Sequence, residues 1–483
     1  MEMEEQIKDN QNKPKRTIRM KQIIILSIAS LIFVLLLVFI PVSVEWSARV
    51  AIAVMVYGLI LWAFEPIPLG LTSILMLVLI LFLHAASVET ALSGFSSPAV
   101  FLIIAGMMIA KAVNATPLME RITFAILAKW GSSAKGIFTG MFLLMQIQAF
   151  FIPATAVRAQ LVTPVVLTIL KTVGAKKGTN FSKLMLIGTA YAANISGTAI
   201  LTAAIGNILA IEILQLYIGT TLSYFDWFLY AVPIWILLIL TIPVIVWRCY
   251  PPEDFSFDEL QAEMVKKRDA LGAFSKVEKK TIVILIVTVL LWMTQSLHGY
   301  HPTIPALLAV VLFALPGIGI VNWRKVIDVN FDMVLLVGAT LSLGFILIDT
   351  GAIDLLGSLL TSDIVIQAFS NPWAAMILVV ILSQVYHLAV TNVSTAVVTL
   401  LPVLIGLSLE VGIDPIAIAF ASAITLLFGY ILVVETMPNV VIHGTGMLEQ
   451  RDFYIPGIIA TIVTTIITFA VAFVWWPLLG FWP

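Results

Sequence analysis

The sequence predicts an all-α polytopic membrane protein: eleven transmembrane helices in two inverted repeats, with two re-entrant hairpins and two broken helices. Three observations predict it. Composition comes first, with 61% of the 483 residues hydrophobic and 11% charged, far from the balance of soluble domains. Apolar runs long enough to cross about 30 Å of hydrocarbon then recur along the chain. Over such lengths only helices satisfy their own backbone in lipid, and nothing alternates as a transmembrane barrel would. The third observation is internal order. Glu65-Pro66-Ile67-Pro68 is answered by His301-Pro302-Thr303-Ile304-Pro305. Pro153-Ala154-Thr155-Ala156-Val157-Arg158 is answered by Thr391-Asn392-Val393-Ser394-Thr395. Ala204-Ile205-Gly206-Asn207 is answered by Thr436-Met437-Pro438-Asn439. Three landmarks return in one order at offsets of 232 to 238 residues, and paired interruptions of this kind mark transporters with a site between two repeats.

The elements follow in order. Residues 1–21 are charged and expected as a loose cytoplasmic tail. The run from Ile23 to Pro41 exceeds a signal-peptide core and lacks a small-residue cleavage site, so 22–42 is expected as a retained first span. The first repeat, 45–248, carries spans 46–64, 67–85, 98–116, 183–218 (broken) and 226–248. The second, 281–480, carries 281–298, 303–321, 331–350, 415–446 (broken) and 453–480. Stretches 135–172 and 372–409 are too long for one helix and are read as hairpins that return to the side they enter from. The linker 249–280 spaces Phe257, Leu260, Met264 and Leu271 as an amphipathic helix, either on the inner membrane surface or as a solvated connector.

Charge placement supports this topology. Lys13, Lys15, Arg16, Arg19 and Lys21, then Arg121, Lys129, Lys135, the lysines of 171–183 and the linker fall on one side. The other side keeps Arg49 and collects Glu45, Glu89, Asp226, Asp354, Asp363, Glu410 and Asp414. By the positive-inside rule the N-terminus is cytoplasmic and the C-terminus extracytoplasmic, as expected in a plasma membrane. Five crossings then separate equivalent points of the halves, which makes the repeat inverted.

An anion at mid-membrane needs positive charge or helix N-termini. The hairpin tips place Thr155, Asn392, Ser394 and Thr395 ahead of helices expected to start at Val157 and Thr395, as caps or as anion donors. Arg158 is a charge inside a span, which costs about 2.5–3.5 kcal/mol on insertion scales. It either grips an anion bidentately or pairs with Glu435 or Glu212. Glu435 lies in the second break, where it either joins freed carbonyls around a cation or a proton, or pairs with Arg158. Lys111 is read as snorkelling, and His387 and His443 as packing or interfacial. The single cysteine, Cys249, excludes an internal disulfide and a cysteine-based metal site. No transition-metal cluster, phosphate loop or nucleophile elbow is found, so neither an enzyme nor a nucleic-acid partner is expected.

Trp62-Ala63-Phe64-Glu65-Pro66-Ile67-Pro68-Leu69 and Pro438-Asn439-Val440-Val441-Ile442-His443-Gly444-Thr445-Gly446, with Asp452-Phe453 and Asp226-Trp227, resemble the divalent anion–sodium symporters over residues 45–475. The resemblance implies dicarboxylate, citrate or sulfate transport, sodium as coupling ion, an elevator mechanism and a homodimer in lipid. It implies substrate contacts at Thr155, Ala156, Arg158, Asn392, Val393, Ser394, Thr395, Thr436 and Pro438. Cation contacts fall at Ala154, Thr155, Gly206, Asn207, Asn392, Glu435 and Asn439. That family's tips read Ser-Asn-Thr, where this chain has Ala154-Thr155-Ala156 and Asn392-Val393-Ser394. Arg158 falls where the citrate and tartrate exchanger branch also carries arginine. The expectation is a secondary active transporter of small divalent anions, first by sodium symport, second by anion exchange. An anion channel or membrane-embedded sensor is the alternative of another class.

Overall fold

The computed structural model describes residues 15–220, 222–317, 319–352, 355, 363–390 and 392–482. All regular elements among them are helical. Seven helices are long and apolar enough to cross a membrane, or eight if Val88–Ser96 and Pro98–Asn114, bent by 44°, form one span. The expected count of eleven included shorter and broken pieces. Leu69–Phe82 has 14 residues and Thr303–Ala314 has 12, while 183–218 and 415–446 are each divided in two. The first helix begins at Lys15 and not at 22, so residues 15–21 extend it and are no loose tail. Asp354, Thr391 and the side chain of Asp363 lie outside the described residues.

Two compact units form, one of Met1–Ser96 with Phe331–Leu355, the other of Ser97–Asn330 with Leu356–Pro483. This division cuts across the expected repeats 45–248 and 281–480. In the first unit, Phe331–Asp349 packs on Leu69–Phe82 and on the turn Ser93–Ser96. Close approach there requires glycine: a Cβ on Gly94 would lie 2.2 Å from the Gly338 carbonyl. The Gly94 N–H donates to Ser342 Oγ at 3.0 Å. Helix Trp46–Phe64 ends at Glu65 in a left-handed conformation (φ 44°), whose N–H closes on the Leu61 carbonyl at 3.0 Å. Pro66, lacking a donor, does not continue the helix.

In the second unit both expected hairpins are helix pairs, Ala134–Gln148 with Thr155–Thr172 and Pro372–Ala389 with Val393–Val411. The linker helix Asp258–Ala270 buries Leu260 and Met264 against Leu118–Trp130. Its apolar face thus covers protein. Arg121 ties the linker down. Its Nη2 donates to Glu278 Oε2 at 3.2 Å and to the Leu271 carbonyl at 3.1 Å, and its Nη1 to the Gly272 carbonyl at 2.8 Å. Ser275 and Glu278 also cap Lys276–Met293 reciprocally.

The hydrogen bonds from Arg121 hold the Glu278 carboxyl well below the usual carboxylate range, at about 2. A depressed carboxylate contributes stability above its unfolded pKa and loses it as the pH falls toward the folded value. Thermal denaturation of Glu278→Gln should therefore show a deficit of about 1–3 kcal/mol at neutral pH. The gap to the wild type should close as the pH drops from about 4.3 toward about 2.

Candidate functional site

A helix that stops inside a membrane protein strands carbonyls and amides that water cannot reach. The chain meets this problem twice, with the same solution. After Asn180–Ile195 the backbone leaves the helix, makes a 3₁₀ turn at Leu201–Ala203 and restarts at Ile205 behind an extended Ala204. After Pro415–Thr425 it makes a 3₁₀ turn at Val433–Glu435 and restarts at Met437 behind an extended Thr436. Asn207 Nδ2 donates to the carbonyls of Gly197 and Ile200 at 2.7 and 3.3 Å. Asn439 Nδ2 donates to those of Gly429 and Leu432 at 3.1 and 3.0 Å. Donors, acceptors, turns and restarts all correspond at 232 residues. The two landmark breaks thus share one hydrogen-bond pattern at a constant offset.

Both tips adjoin the first break. A Cβ on Gly197 would lie 3.3 Å from Thr155 Cγ2, and one on Gly206 would lie 2.9 Å from Val393 Cγ1. Met437–His443, which holds Pro438, packs against the helix Thr155–Thr172. The tip helices begin at Thr155 and Val393, two residues earlier than expected. The capping roles change accordingly. Ala154 stands at the first N-cap without a side-chain bond, and Thr155 and Ala156 are already helical. Asn392 does cap, accepting from Ser394 N at 2.9 Å. Ser394 and Thr395 lie inside the helix, with Thr395 Oγ1 buried and unpartnered.

Arg158 is fully buried in the first turn after its tip. Its Nε donates to Ser196 Oγ at 3.0 Å, and Nη1 donates to the Ile152 carbonyl. Nη2 has no partner. Neither proposed ion pair forms. Glu435 accepts from the amides of Ile431 and Leu432 at 3.1 and 2.9 Å. Glu212 accepts from Ser97 Oγ at 2.9 Å and lies 3.8 Å from His301 Nε2. The described ion pairs leave Arg158 without an acid within 4.0 Å. Lys111 reaches Asp328 at 3.0 Å from an exposed position. His387 is buried with both ring nitrogens unpartnered, and His443 is half-buried.

Several residues of this region escaped sequence reasoning. Tyr191 donates its hydroxyl to the Tyr430 carbonyl at 2.7 Å, and Asn194 Nδ2 donates to the Gly429 carbonyl at 2.9 Å. Gln146 and Gln384, 238 residues apart, pin the two helix pairs to the carbonyls of Ala192 and Phe428 at 3.1 and 2.8 Å. The available signal was amide and hydroxyl residues inside apolar runs, without any mark of where they bond.

Paired helix breaks, helix tips packed on them and a buried cation without an acid are the features of a secondary-transporter core. The chain belongs to the family described as the sodium:sulfate symporter transmembrane region, which matches residues 20–482. It is similar to a membrane protein of Cupriavidus necator, 25% identical over 397 residues, covering 81% of this chain and 77% of that one. It is also similar to the sodium-dependent dicarboxylate transporter SdcS of Staphylococcus saprophyticus, 23% identical, and of Staphylococcus aureus, 24% identical. Both of those alignments cover 97% of this chain and 94% of the relative. The chain is a multi-pass membrane protein of a transporter family and not an enzyme.

Because Arg158 and Glu435 are anchored separately, a thermal-stability cycle of Arg158→Gln, Glu435→Gln and the double variant should be additive within about 0.5 kcal/mol. Coupling of several kcal/mol in the ligand-free protein would reveal a pair that the geometry lacks.

Proposed function

We propose that the protein is a secondary active transporter of small divalent anions, C4-dicarboxylates or sulfate, driven by sodium symport. The observation that carries this reading is the buried Arg158 with its free Nη2 beside a helix break. A guanidinium with one nitrogen unpaired in a low-dielectric site is complementary to a carboxylate or sulfate oxygen. The two tips bring Thr155 and the Asn392-Val393-Ser394-Thr395 helix start to the same break, adding helix N-termini. Thr436 and Pro438 open the helix packed behind the first tip. The sodium-dependent relatives support the coupling ion, and energetics require coupling of some kind. A dianion entering against 100 mV faces roughly 4.6 kcal/mol, so cations must move with it or an anion must leave.

In this reading the helix pairs 135–172 and 372–409 are re-entrant and the spans number eleven. The repeats are inverted, the N-terminus is cytoplasmic and the C-terminus extracytoplasmic. The tips and breaks move as an elevator within a homodimer surrounded by lipid. Anion exchange is the second reading. It is favoured by the permanent charge of Arg158 together with the loss of side-chain ligands at Ala154 and Ala156.

Reconstituted protein should take up labelled succinate, citrate or sulfate in response to an inward sodium gradient. Uptake that needs internal anion and ignores sodium selects exchange, and currents without trans-acceleration select a channel. Arg158→Gln should abolish ligand-induced thermal stabilisation. Arg158→Lys should restore it poorly, because an ammonium cannot keep Ser196, Ile152 and an anion in one planar fork. Ligand stabilisation that survives in Arg158→Gln removes the guanidinium from the site.

A further inference from the structure

Packing within the second unit sorts its helices into groups. The restarted helix Ile205–Ile218 packs chiefly against Val393–Val411 and Pro415–Thr425. Pro98–Asn114 packs chiefly against Thr303–Ala314, which in turn packs on Lys276–Met293. The latter group faces the first tip across an apolar cavity lined by Gly106, Phe150, Phe151, Pro153, Leu285 and Trp292. Apolar surfaces slide without breaking a hydrogen bond. A polar cluster joins the restarted helix to the other group. Glu212 Oε2 accepts at 2.9 Å from Ser97 Oγ, the N-cap of Pro98–Asn114. Glu212 Oε1 lies 3.8 Å from Nε2 of His301, which stands just ahead of Thr303–Ala314.

This cluster is one hydrogen short. His301 Nδ1 lies 2.9 Å from Thr303 Oγ1, and Thr303 Oγ1 donates to the Pro98 carbonyl at 2.9 Å. Glu212, His301, Thr303 and Pro98 thus form a chain of three links. With Glu212 ionised and His301 neutral, the chain holds two hydrogens, one on the ring and one on the hydroxyl. If the ring hydrogen sits on Nδ1, lone pairs oppose each other between Nε2 and Oε1, the widest link. The Thr303 N–H, 3.3 Å from Nδ1, favours the other tautomer, which moves the shortage to the link between Nδ1 and Oγ1. One added proton completes the chain in either case and lets Nε2–H close on the carboxylate.

We propose that Glu212 and His301 form a proton-binding site that fastens the restarted helix to Pro98–Asn114 and Thr303–Ala314. Solvent can deliver the proton, because the His301 side chain is 41% exposed whereas that of Glu212 is 13% exposed. Burial holds the His301 imidazole below its ordinary 6.5, so the site fills on the acid side of that value. Neighbouring charges are engaged or distant. On the same loop, His298 bonds the Leu291 carbonyl through Nε2 and accepts the Tyr300 N–H at Nδ1. Lys111 pairs with Asp328 at the far end of its helix. The ionisable residues of Lys276–Met293 lie at its start, and Thr303–Ala314 has none. Tyr217 is on the restarted helix itself, and Glu410 and Asp414, beside it in the first group, are exposed. The consequence for transport rests on the elevator reading above. Glu212 moves with the breaks, so a filled site retards that movement, and in the proposed topology the controlling pH is extracytoplasmic.

The test pairs hydrogen–deuterium exchange with uptake, using the full-length protein and two variants. Glu212→Gln supplies the missing hydrogen as an amide N–H, and His301→Ala removes the chain. At about pH 5.5, with intrinsic exchange corrected, wild-type residues 205–218 should be protected as in Glu212→Gln and about 2–10-fold more than in His301→Ala. At about pH 7.5 the wild type should match His301→Ala. In proteoliposomes with the interior held neutral, acid outside should slow wild-type anion uptake by a similar factor. Glu212→Gln should be slow at both values and His301→Ala fast at both, apart from any titration of the anion, which His301→Ala reports. A merely structural contact would impair both variants alike. Wild-type protection that ignores pH, or a wild-type response kept by both variants, overturns the proton site. Protection as expected with wild-type uptake indifferent to pH overturns its role in transport. Absence of uptake of succinate, citrate and sulfate under every gradient removes the transport reading, and exchange alone then decides the proton site.

Discussion

The requirement that every buried backbone polar group find a partner organises this protein more than any single charge. Two helices are interrupted inside an apolar body, and each interruption frees carbonyls that would cost several kcal/mol apiece if left dry. One asparagine, placed three residues into the restarted helix behind each 3₁₀ turn, folds back over the break and takes two carbonyls. That loop closure fixes where the restarted helix points. It also fixes which residues face the neighbouring tip. Gly206 meets Val393 so closely that a methyl group would lie 2.9 Å from it, so the tip can sit down on the restarted helix only where that residue lacks a side chain.

The charges are arranged around this scaffold and do not create it. Arg158 is held by a serine hydroxyl and a main-chain carbonyl, Glu435 by two main-chain amides. Cation and anion are each solvated by the backbone near them and not by one another. A buried ion pair would be self-sufficient, and breaking it to admit a ligand would cost the full pairing energy. An arginine oriented by neutral groups carries its charge into the site with one nitrogen still free. In the proposed reading, complementarity to an incoming anion is built in before the anion arrives, and little reorganisation is needed when it binds.

Much of the fold was legible because hydrophobic length and punctuation are one-dimensional. The landmarks at Gly206-Asn207 and Pro438-Asn439 and the tips near Thr155 and Asn392 stood out as polar words in apolar text, and each lies beside an interruption, the helix breaks themselves falling just upstream at 196–204 and 426–436. What the sequence could not give was pairing. Arg158, Glu435 and Glu212 were charges inside apolar runs, and proximity in kind suggested proximity in space. Neutral groups hold each of them instead, Ser196 and the Ile152 carbonyl for Arg158, Ser97 for Glu212 and two main-chain amides for Glu435, and neither a serine nor an amide in an apolar run declares which charge it serves. The tip helices started two residues early for a related reason. Thr155 and Ser394 look like caps by residue type, but Ala154 caps without a side chain and Asn392 takes the capping role one residue before the helix. For the linker, amphipathicity declares that an apolar face is covered and not what covers it. Helix Leu118–Trp130 does so here, with Arg121 fastening the end.

The repeat is most informative where it fails. Two halves descended from one pattern would be expected to solve the same backbone problem identically, and Asn207 and Asn439 do so at a constant offset. The second carbonyl of each break is also served alike, Tyr430 by the Tyr191 hydroxyl and Thr198 by Trp227 Nε1 at 3.1 Å. Asn194 and Gln450 add further donors at the second break, whereas Asn207 Oδ1 at the first is buried without a partner. An unsatisfied buried acceptor is a standing cost of about 1–3 kcal/mol that a structural role alone does not repay. The second break shows that this chain can saturate such a site with its own side chains. Among the described residues such unpartnered buried atoms lie in both halves, Arg158 Nη2 and Asn207 Oδ1 in the first and Gln384 Oε1, both His387 ring nitrogens and Thr395 Oγ1 in the second, so the polar demand left open after folding is shared between the two helix pairs and the breaks they pack on.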